Sequence, residues 1–489
     1  MKSRAMRRAY ARHLWDHLKV SLWFVPLVMT LAAFILSWLL ITLDAYIPNA
    51  VLEDSRLVIS GNANDLRLIL IGISGTILAT AGVVFSLLTL PLSTVASQFG
   101  SRLLRIFLRD RTMQSVLGIF VGTFSYCLAT ALAIPDYATQ AETPQTTIVL
   151  HQVEAPQIAT TFGLVLALAS FASLILLIQH ISTMLQAPNI IAAAGAELVE
   201  ATRMDLFDEG QPAPEEYNAA SLPESESYPL QVYSRGYIQM IDPQIILNLA
   251  KDKDLIIRLL RKPGQFIWPG ETAALVWPSA RVDAHLAGQL RRAIQIGNQR
   301  TPTQDTEYAV NQLVEIAVRA MSPAINDPFT TMTCLDYLAN GLADYVRTSE
   351  ASPNFYDKDG RLRLVFEPAT TAGLLDAAFN MLRHASSSNA SVLLHMLDAI
   401  AIIGQEAKTP QTYQELLRHA SLIQAESQAS NLVEQDKQRI RLHCAAVEAQ
   451  LITAAAAGNP GLSKPEPAEA RQPELVGALP KSNPVKEKT

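Results

Sequence analysis

The first half of the chain is dominated by long apolar runs without charged residues. Three of these runs contain no Asp, Glu, Lys or Arg over 23, 33 and 24 residues: Ser21–Leu43, Leu68–Gly100 and Thr112–Pro135. A fourth, Ala155–Met204, is interrupted near Pro188 and Glu197. Because about 20 helical residues cross a hydrocarbon layer of about 30 Å, the pattern predicts four transmembrane helices. We expect the spans at about 21–43, 68–95, 113–134 and 158–179, within a membrane domain covering 20–180.

The first apolar run could be confused with a signal peptide. Its length exceeds the 7–15 apolar residues typical of such peptides, and no small-residue cleavage site follows Leu43. We therefore interpret it as a membrane anchor that is retained.

Basic residues beside the spans predict their orientation. Ten lie in the N-terminal segment, 1–19, and in the loop between the second and third spans: Lys2, Arg4, Arg7, Arg8, Arg12, Lys19, Arg102, Arg105, Arg109 and Arg111. The other two loops contain only Arg56 and Arg67. Since short loops rich in Lys and Arg stay in the cytoplasm, we expect both termini, and everything after about residue 180, to be cytoplasmic at a bacterial inner membrane.

The second half predicts an α+β, mostly helical cytoplasmic domain. After a helix and linker at 181–230, a small α+β module is expected at 231–280, with Gln231–Ile241 and Leu255–Leu260 as strands. Asp242 and Pro243 should start a helix between them. Residues 281–457 should be mostly helical, interrupted by one hairpin that turns at Asp359 and Gly360. The Pro-rich end, 458–489, should be a disordered tail.

Composition excludes several classes of protein. Charged residues make up 17% of the chain, which is low for a soluble protein, and the net charge of −6 speaks against nucleic-acid binding. Cys127, Cys334 and Cys444 lie far apart, so neither a disulfide framework nor a cysteine-based zinc motif is expected. No charged side chain lies inside a span, which argues against a proton relay.

One face of the second span carries small and hydroxyl residues: Gly75, Gly82, Ser86, Thr89, Ser93 and Ser97. Small residues allow helices to approach closely, and hydroxyls supply interhelical hydrogen bonds, so helix packing is the first interpretation. The alternative is that this face lines a pore formed by several copies of the chain.

Arg102, Arg105 and Arg109 share one face of a predicted amphipathic helix, with Leu103, Ile106 and Phe107 around the other side. Such a helix can rest on the membrane and contact anionic lipid. The alternative is that these arginines only set the topology.

A Pro-rich corner lies between two predicted helices at 319–330. Asp327 should cap the second helix, with Pro328 at its first position. Arg319, Ser322, Asn326 and Asp327 form either an anion-binding helix N-terminus or a rigid structural corner.

Motifs for nucleotide binding, metalloprotease activity and serine hydrolysis are absent from the sequence. The nine histidines are scattered, and His395 and Asp398 are spaced to form a surface pair on one helix. We expect no catalytic residue, no metal and no cofactor, and no enzymatic activity.

Three segments carry a family resemblance: Phe85–Leu87 with Ala96–Gln114 and Leu117–Tyr126, then Ser234–Asp242, and then Arg319–Phe329. Together they resemble a bacterial membrane protein family known as domain of unknown function 2254, over most of residues 15–450. The resemblance implies a multi-pass inner-membrane protein and brings no activity, substrate or catalytic residue.

A four-helix unit without a polar interior can hardly enclose an aqueous path alone. We therefore expect a homo-oligomeric channel or transport-related protein in the lipid bilayer, gated or assembled by its cytoplasmic domain. The alternative is a membrane scaffold or sensor that binds an unknown soluble ligand or partner through that domain.

Overall fold

The computed structural model describes residues 23–47, 58–59, 61–98, 107, 110–134, 156–205, 222–348, 354–357, 359–366 and 369–458. The basic segment 1–19 and the tail after residue 458 lie outside the described residues. So do Arg102, Arg105 and Arg109, for which lipid contact was predicted.

Four helices are long and apolar enough to cross a bilayer: α1 (Phe24–Asp44), α2 (Ala63–Gln98), α3 (Arg111–Ala133) and α4 (Gln157–Met184). Each agrees with one of the predicted spans to within a few residues at one end or both, so the prediction of four membrane-length helices is confirmed. Helix α2 begins before its predicted span, and α4 ends after its own, because flanking polar residues continue the helices.

Helix α3 is the centre of the bundle and packs against α1, α2 and α4. In the apolar 18-residue stretch of α3, 56% of the residues are buried, compared with 17% in the corresponding stretch of α1. Gly118 and Gly122 make this possible on one side, where α1 lies so close that a Cβ at Gly118 would meet the side chain of Met29. Small residues thus set the distance between these two helices.

Helix α5 (Ala187–Asp205) is separated from α4 by two residues and leads from the bundle into the second half of the chain. Its buried face, which includes Ile190, Ile191, Ala194 and Leu198, packs against two later helices, α8 (Thr306–Ala320) and α9 (Pro328–Thr348). Four more helices complete this layer: α10 (Thr371–Ala385), α11 (Ala390–Glu406), α12 (Pro410–Ala429) and α13 (Glu434–Gly458).

Side-chain caps explain several of these helix starts. Asn389 accepts a hydrogen bond from the Val392 N–H and starts α11. Asp242 likewise accepts from the Ile245 N–H and starts α6 (Pro243–Lys253), as predicted from Asp242 and Pro243.

Two sheets and two short helices, α6 and α7 (Ala284–Arg292), form the α+β region. The larger sheet has the strand order β1-β5-β3-β8-β7, and the smaller has the order β4-β2-β6. Neighbouring strands are antiparallel except β3 and β8. The strands are β1 (Tyr228–Gln231), β2 (Gly236–Ile241), β3 (Ile256–Leu259), β4 (Phe266–Ile267), β5 (Thr272–Trp277), β6 (Ile294–Gly297), β7 (Asn354–Tyr356) and β8 (Leu362–Val365).

The sheets differ from the sequence prediction in three ways. The single strand predicted at Gln231–Ile241 is divided into β1 and β2, which belong to different sheets. Strand β6 was not predicted. The predicted hairpin, β7 and β8, forms, but it joins β3 through a parallel pairing between Ile257 and Leu364. Pairing between strands so far apart in sequence depends on the tertiary structure, and local pattern does not reveal it.

Candidate functional site

The ends of the membrane helices are joined by one buried carboxylate. Asp44, the last residue of α1, accepts hydrogen bonds from the Ile158 N–H at 3.0 Å and the Ala159 N–H at 2.9 Å. These amides belong to the first turn of α4, where backbone N–H groups lack partners within the helix. The Tyr126 hydroxyl of α3 donates to the Ala159 carbonyl at 2.8 Å. Three helices therefore meet at the start of α4.

Two hydroxyl pairs lie deeper in the bundle. Ser37 of α1 contacts Thr130 of α3 at 2.8 Å, and Thr123 of α3 contacts Ser170 of α4 at 3.0 Å. All four side chains are buried. Because these hydroxyls bond to one another, they hold helices together and do not line a path through the bundle of a single chain.

The predicted face of α2 points away from the bundle. Seven small residues on this helix recur at alternating spacings of three and four and are all exposed: Gly72, Gly75, Ala79, Gly82, Ser86, Thr89 and Ser93. We call this set the small-residue stripe. It falls within an arc of about 100° of the helix surface. Leu66, Leu70, Ile77, Val84 and Leu88 occupy the opposite face and are buried.

Two hydroxyls of the small-residue stripe are already paired within α2. Ser86 donates to the Gly82 carbonyl at 3.1 Å, and Thr89 donates to the Ser86 carbonyl at 3.0 Å. Within the described part of the chain, no atom lies within 4 Å of a Cβ built at Gly75 or Gly82. The stripe is thus a closely approachable surface of small side chains without a partner in the described residues. Ser97 lies in the last turn of α2, and its side chain is outside the described part of the structure.

The corner between α8 and α9 is closed by its own hydrogen bonds. Asp327 accepts from the Phe329 and Thr330 N–H groups at 3.1 Å each, and from the Thr330 hydroxyl at 2.6 Å. The hydroxyl of Thr330 lowers the pKa of Asp327. Arg319 forms an ion pair with Glu315 at 3.1 Å. The helix N-terminus already has a carboxylate partner, which favours the structural interpretation of Arg319, Ser322, Asn326 and Asp327 over anion binding.

The surroundings of Phe107 differ from those predicted. The sequence placed it on the membrane-facing side of an amphipathic helix, whereas the structure buries it, 1% exposed, in a hydrophobic cluster with Met113 and Phe120. The end of the bundle where α3 begins and α4 ends also contains a polar contact between His180 and Asp110 at 3.1 Å. Tertiary packing at this end therefore buries Phe107, which the helical pattern assigned to lipid.

The histidines pair across helices. His395 contacts Asp336 of α9 at 2.7 Å, and Asp398 contacts His443 of α13 at 2.7 Å, so His395 and Asp398 do not pair with each other as the spacing suggested. Among the residues that the structure describes, no group of three His, Cys, Asp or Glu side chains is placed to hold a metal ion.

A cavity of about 160 Å³ between the α+β region and α8 was not predicted from the sequence. Its walls include Lys262, Gly264, Arg300 and Asp305. Arg300 and Asp305 form a two-point ion pair at 2.7 and 2.8 Å, and Asp305 also caps α8 through the Tyr308 N–H. Since these charged groups satisfy each other, the arrangement is typical of a structural joint.

Comparison with known proteins supports the membrane assignment. The chain is 28% identical, over 361 residues, to uncharacterised proteins of Mycobacterium bovis and Mycobacterium tuberculosis, covering 73% of this chain and 67% of each relative. No solved structure matches it. The profile of one family, described as predicted membrane protein (DUF2254), matches residues 19–401. Because that match covers well over half of the chain, the protein belongs to this family of predicted membrane proteins.

Proposed function

We propose that the protein is a homo-oligomeric channel or transport-related protein, in which α2 helices from several copies meet along the small-residue stripe. The observation that carries this proposal is the complete exposure of the stripe on an apolar, membrane-length helix. Lipid tails pack poorly into the shallow groove that small side chains leave, whereas another helix fills it.

The spacing of the stripe supports helix pairing. Small residues alternate at three and four positions from Gly72 to Ser93, which is the 3.5-residue period of left-handed helix pairs. Such pairs cross at about 20° and stay in contact over several turns. The hydroxyls at Ser86, Thr89 and Ser93 lie toward one end, where they would offer polar atoms to a shared path.

The proposed placement follows the charge distribution. Ten basic residues flank the spans on one side and two on the other, so the N-terminus and all residues after α4 are assigned to the cytoplasm of a bacterium. In this arrangement the α+β and helical regions sit together at the cytoplasmic mouth. They would assemble or gate the oligomer through α5, which connects them to α4.

Cysteine cross-linking in membranes tests the proposed contact between α2 helices of different copies. Ser86→Cys places a thiol on the stripe, and Phe85→Cys places one on an adjacent exposed position facing lipid. We expect oxidation to link copies of the Ser86→Cys protein into dimers, and to leave Phe85→Cys largely unlinked. Equal linking of the two variants, or none at Ser86, contradicts the proposed interface.

Substitutions that place larger side chains on the small-residue stripe test assembly and transport together. We expect Gly82→Leu to reduce the oligomer seen by sedimentation, whereas Val83→Leu, on an exposed neighbouring position, leaves it intact. Ion flux into vesicles should be lost with Ser86→Leu or Ser93→Leu. An intact oligomer without flux in the wild-type protein would overturn the channel assignment and support the scaffold or sensor.

A further inference from the structure

The corner between α8 and α9 presents apolar side chains to its surroundings. Ile325 is 51% exposed and Phe329 is 76% exposed, and Pro323 and Ala324 beside them are exposed as well. An exposed Phe and Ile on one tight turn form a small apolar patch that water solvates poorly.

This turn holds its shape through backbone hydrogen bonds. The N–H groups of Ile325 and Asn326 donate to the Ser322 carbonyl at 3.1 and 2.9 Å, and the Asp327 N–H donates to the Ala320 carbonyl at 2.8 Å. Asn326 adopts a φ of 48°, which reverses the chain. Because these three amides of the turn are paired, it can enter a poorly hydrated layer without leaving them unsatisfied.

Charge is nearly absent from the corner. Between Ala320 and Leu335 the sequence contains one charged residue, Asp327. Its carboxylate accepts three hydrogen bonds from Phe329 and Thr330, which already solvate its charge within the turn. The electrostatic cost of moving this corner from water to a less polar layer is thereby reduced.

Helix packing places the corner next to the end of a membrane helix. Gly195 of α5 lies against Tyr337 of α9, and Leu198 lies against Gly341, so the two helices run side by side in the same direction. Phe329 precedes Tyr337 by eight residues, and Ala187 precedes Gly195 by the same number. Eight residues cover about 12 Å along each helix axis, so Phe329 and Ala187 lie at the same height along the two parallel helices. The helix axes are about 8–10 Å apart.

Ala187 follows the end of α4, at Met184, by three positions. The 28 residues of α4 extend about 42 Å, close to the 40–45 Å of a bilayer with its headgroup layers. A group level with Ala187 and one helix away therefore lies at the polar layer. We propose that Ile325 and Phe329 insert into the boundary between headgroups and acyl chains, and dock α8 and α9 on the bilayer surface beside α4. The partner is the lipid surface itself, contacted by apolar side chains.

Fluorescent labelling in vesicles tests this contact on the full-length protein. Ile325→Cys and Phe329→Cys are labelled separately with an environment-sensitive dye, in vesicles of three parts phosphatidylcholine to one part phosphatidylglycerol. The control is Asn340→Cys, because Asn340 is exposed on α9 eleven residues after Phe329. Position 340 therefore lies on nearly the same side of the helix and about 16 Å farther from the corner.

We expect a lipid-attached nitroxide to quench the dye at positions 325 and 329 several-fold more than at 340, and aqueous iodide to show the opposite order. Equal iodide quenching at all three positions would overturn the proposal. Protection of 325 and 329 from both quenchers would overturn it too, since protein would then cover the corner. Neither result depends on whether α2 forms an oligomer.

Discussion

The carboxylate of Asp44 accepts a hydrogen bond from the backbone N–H of Ala159 at 2.9 Å, although 115 positions separate the two residues in the chain. The contact joins the end of the first membrane helix to the start of the fourth. It provides the first turn of α4 with the side-chain acceptor that Pro156, at its N-cap position, does not supply.

Replacing Asp44 with Ala should therefore destabilise the bundle. We expect a loss of about 1–2 kcal/mol in the free energy of unfolding, because two N–H groups in the first turn of α4 lose their acceptor. Unfolding in mixed detergent micelles measures the change. Thr42→Ala is the matched control, because Thr42 is on the same helix and donates its hydrogen bond to the Leu39 carbonyl of that helix. Equal effects of the two substitutions would contradict the capping role.

Gly195→Ala should separate α5 from α9. A Cβ at this position would meet the ring of Tyr337, which is rigid, and we expect a loss of about 1–3 kcal/mol in stability. Gly288→Ala in α7 is the control, since nothing in the described structure lies within 4 Å of its Cβ position. That change should stabilise by roughly 0.5–1 kcal/mol. Thermal melting of both variants measures these changes in stability. An unchanged melting temperature for Gly195→Ala would show that the two helices can move apart without cost.

Stability should depend on the charge of Asp254. Hydrogen bonds from Arg363 and then Arg281 lower the pKa of Asp254 to about 2. Because this folded-state pKa lies below the unfolded value, the contribution is complete above about pH 4 and is lost as the pH falls toward 2. We expect Asp254→Asn to reduce the fall in melting temperature over this range. Asn also tolerates the φ of 51° at this position. An unchanged pH profile would contradict the prediction.

All three cysteines should be unreactive in the folded protein. Cys127, Cys334 and Cys444 are buried, and burial raises the pKa of Cys444 to about 12. Because the thiolate is the reactive form, we expect no labelling by a maleimide in mild detergent and labelling of three thiols after denaturation in sodium dodecyl sulfate. Mass spectrometry counts the labels. Labelling of the native protein would show that one of these sites opens, and would require cysteine-free backgrounds for the labelling experiments above.

The starts of the helices show which features can be predicted from residues that are close in sequence. Asp242 and Asp327 each cap a helix at the position that the sequence indicates, because a cap needs only residues within one turn. The predicted pair of His395 and Asp398 failed for the opposite reason. Each residue has its partner on another helix, and spacing along one helix carries no information about neighbouring helices.

The sequence by itself determined the four membrane-length helices and the membership of a membrane protein family, because hydrocarbon excludes charge and the uncharged runs are long enough to cross it. The tertiary structure decided which faces of those helices have partners. Periodicity identified the small residues of α2, but only the packing of α3 on the opposite face left that stripe exposed. Similarly, the apolar corner at Ile325 and Phe329 acquires a place beside α4 only through the contact of α5 with α9, since positions so distant in sequence are brought together by packing alone.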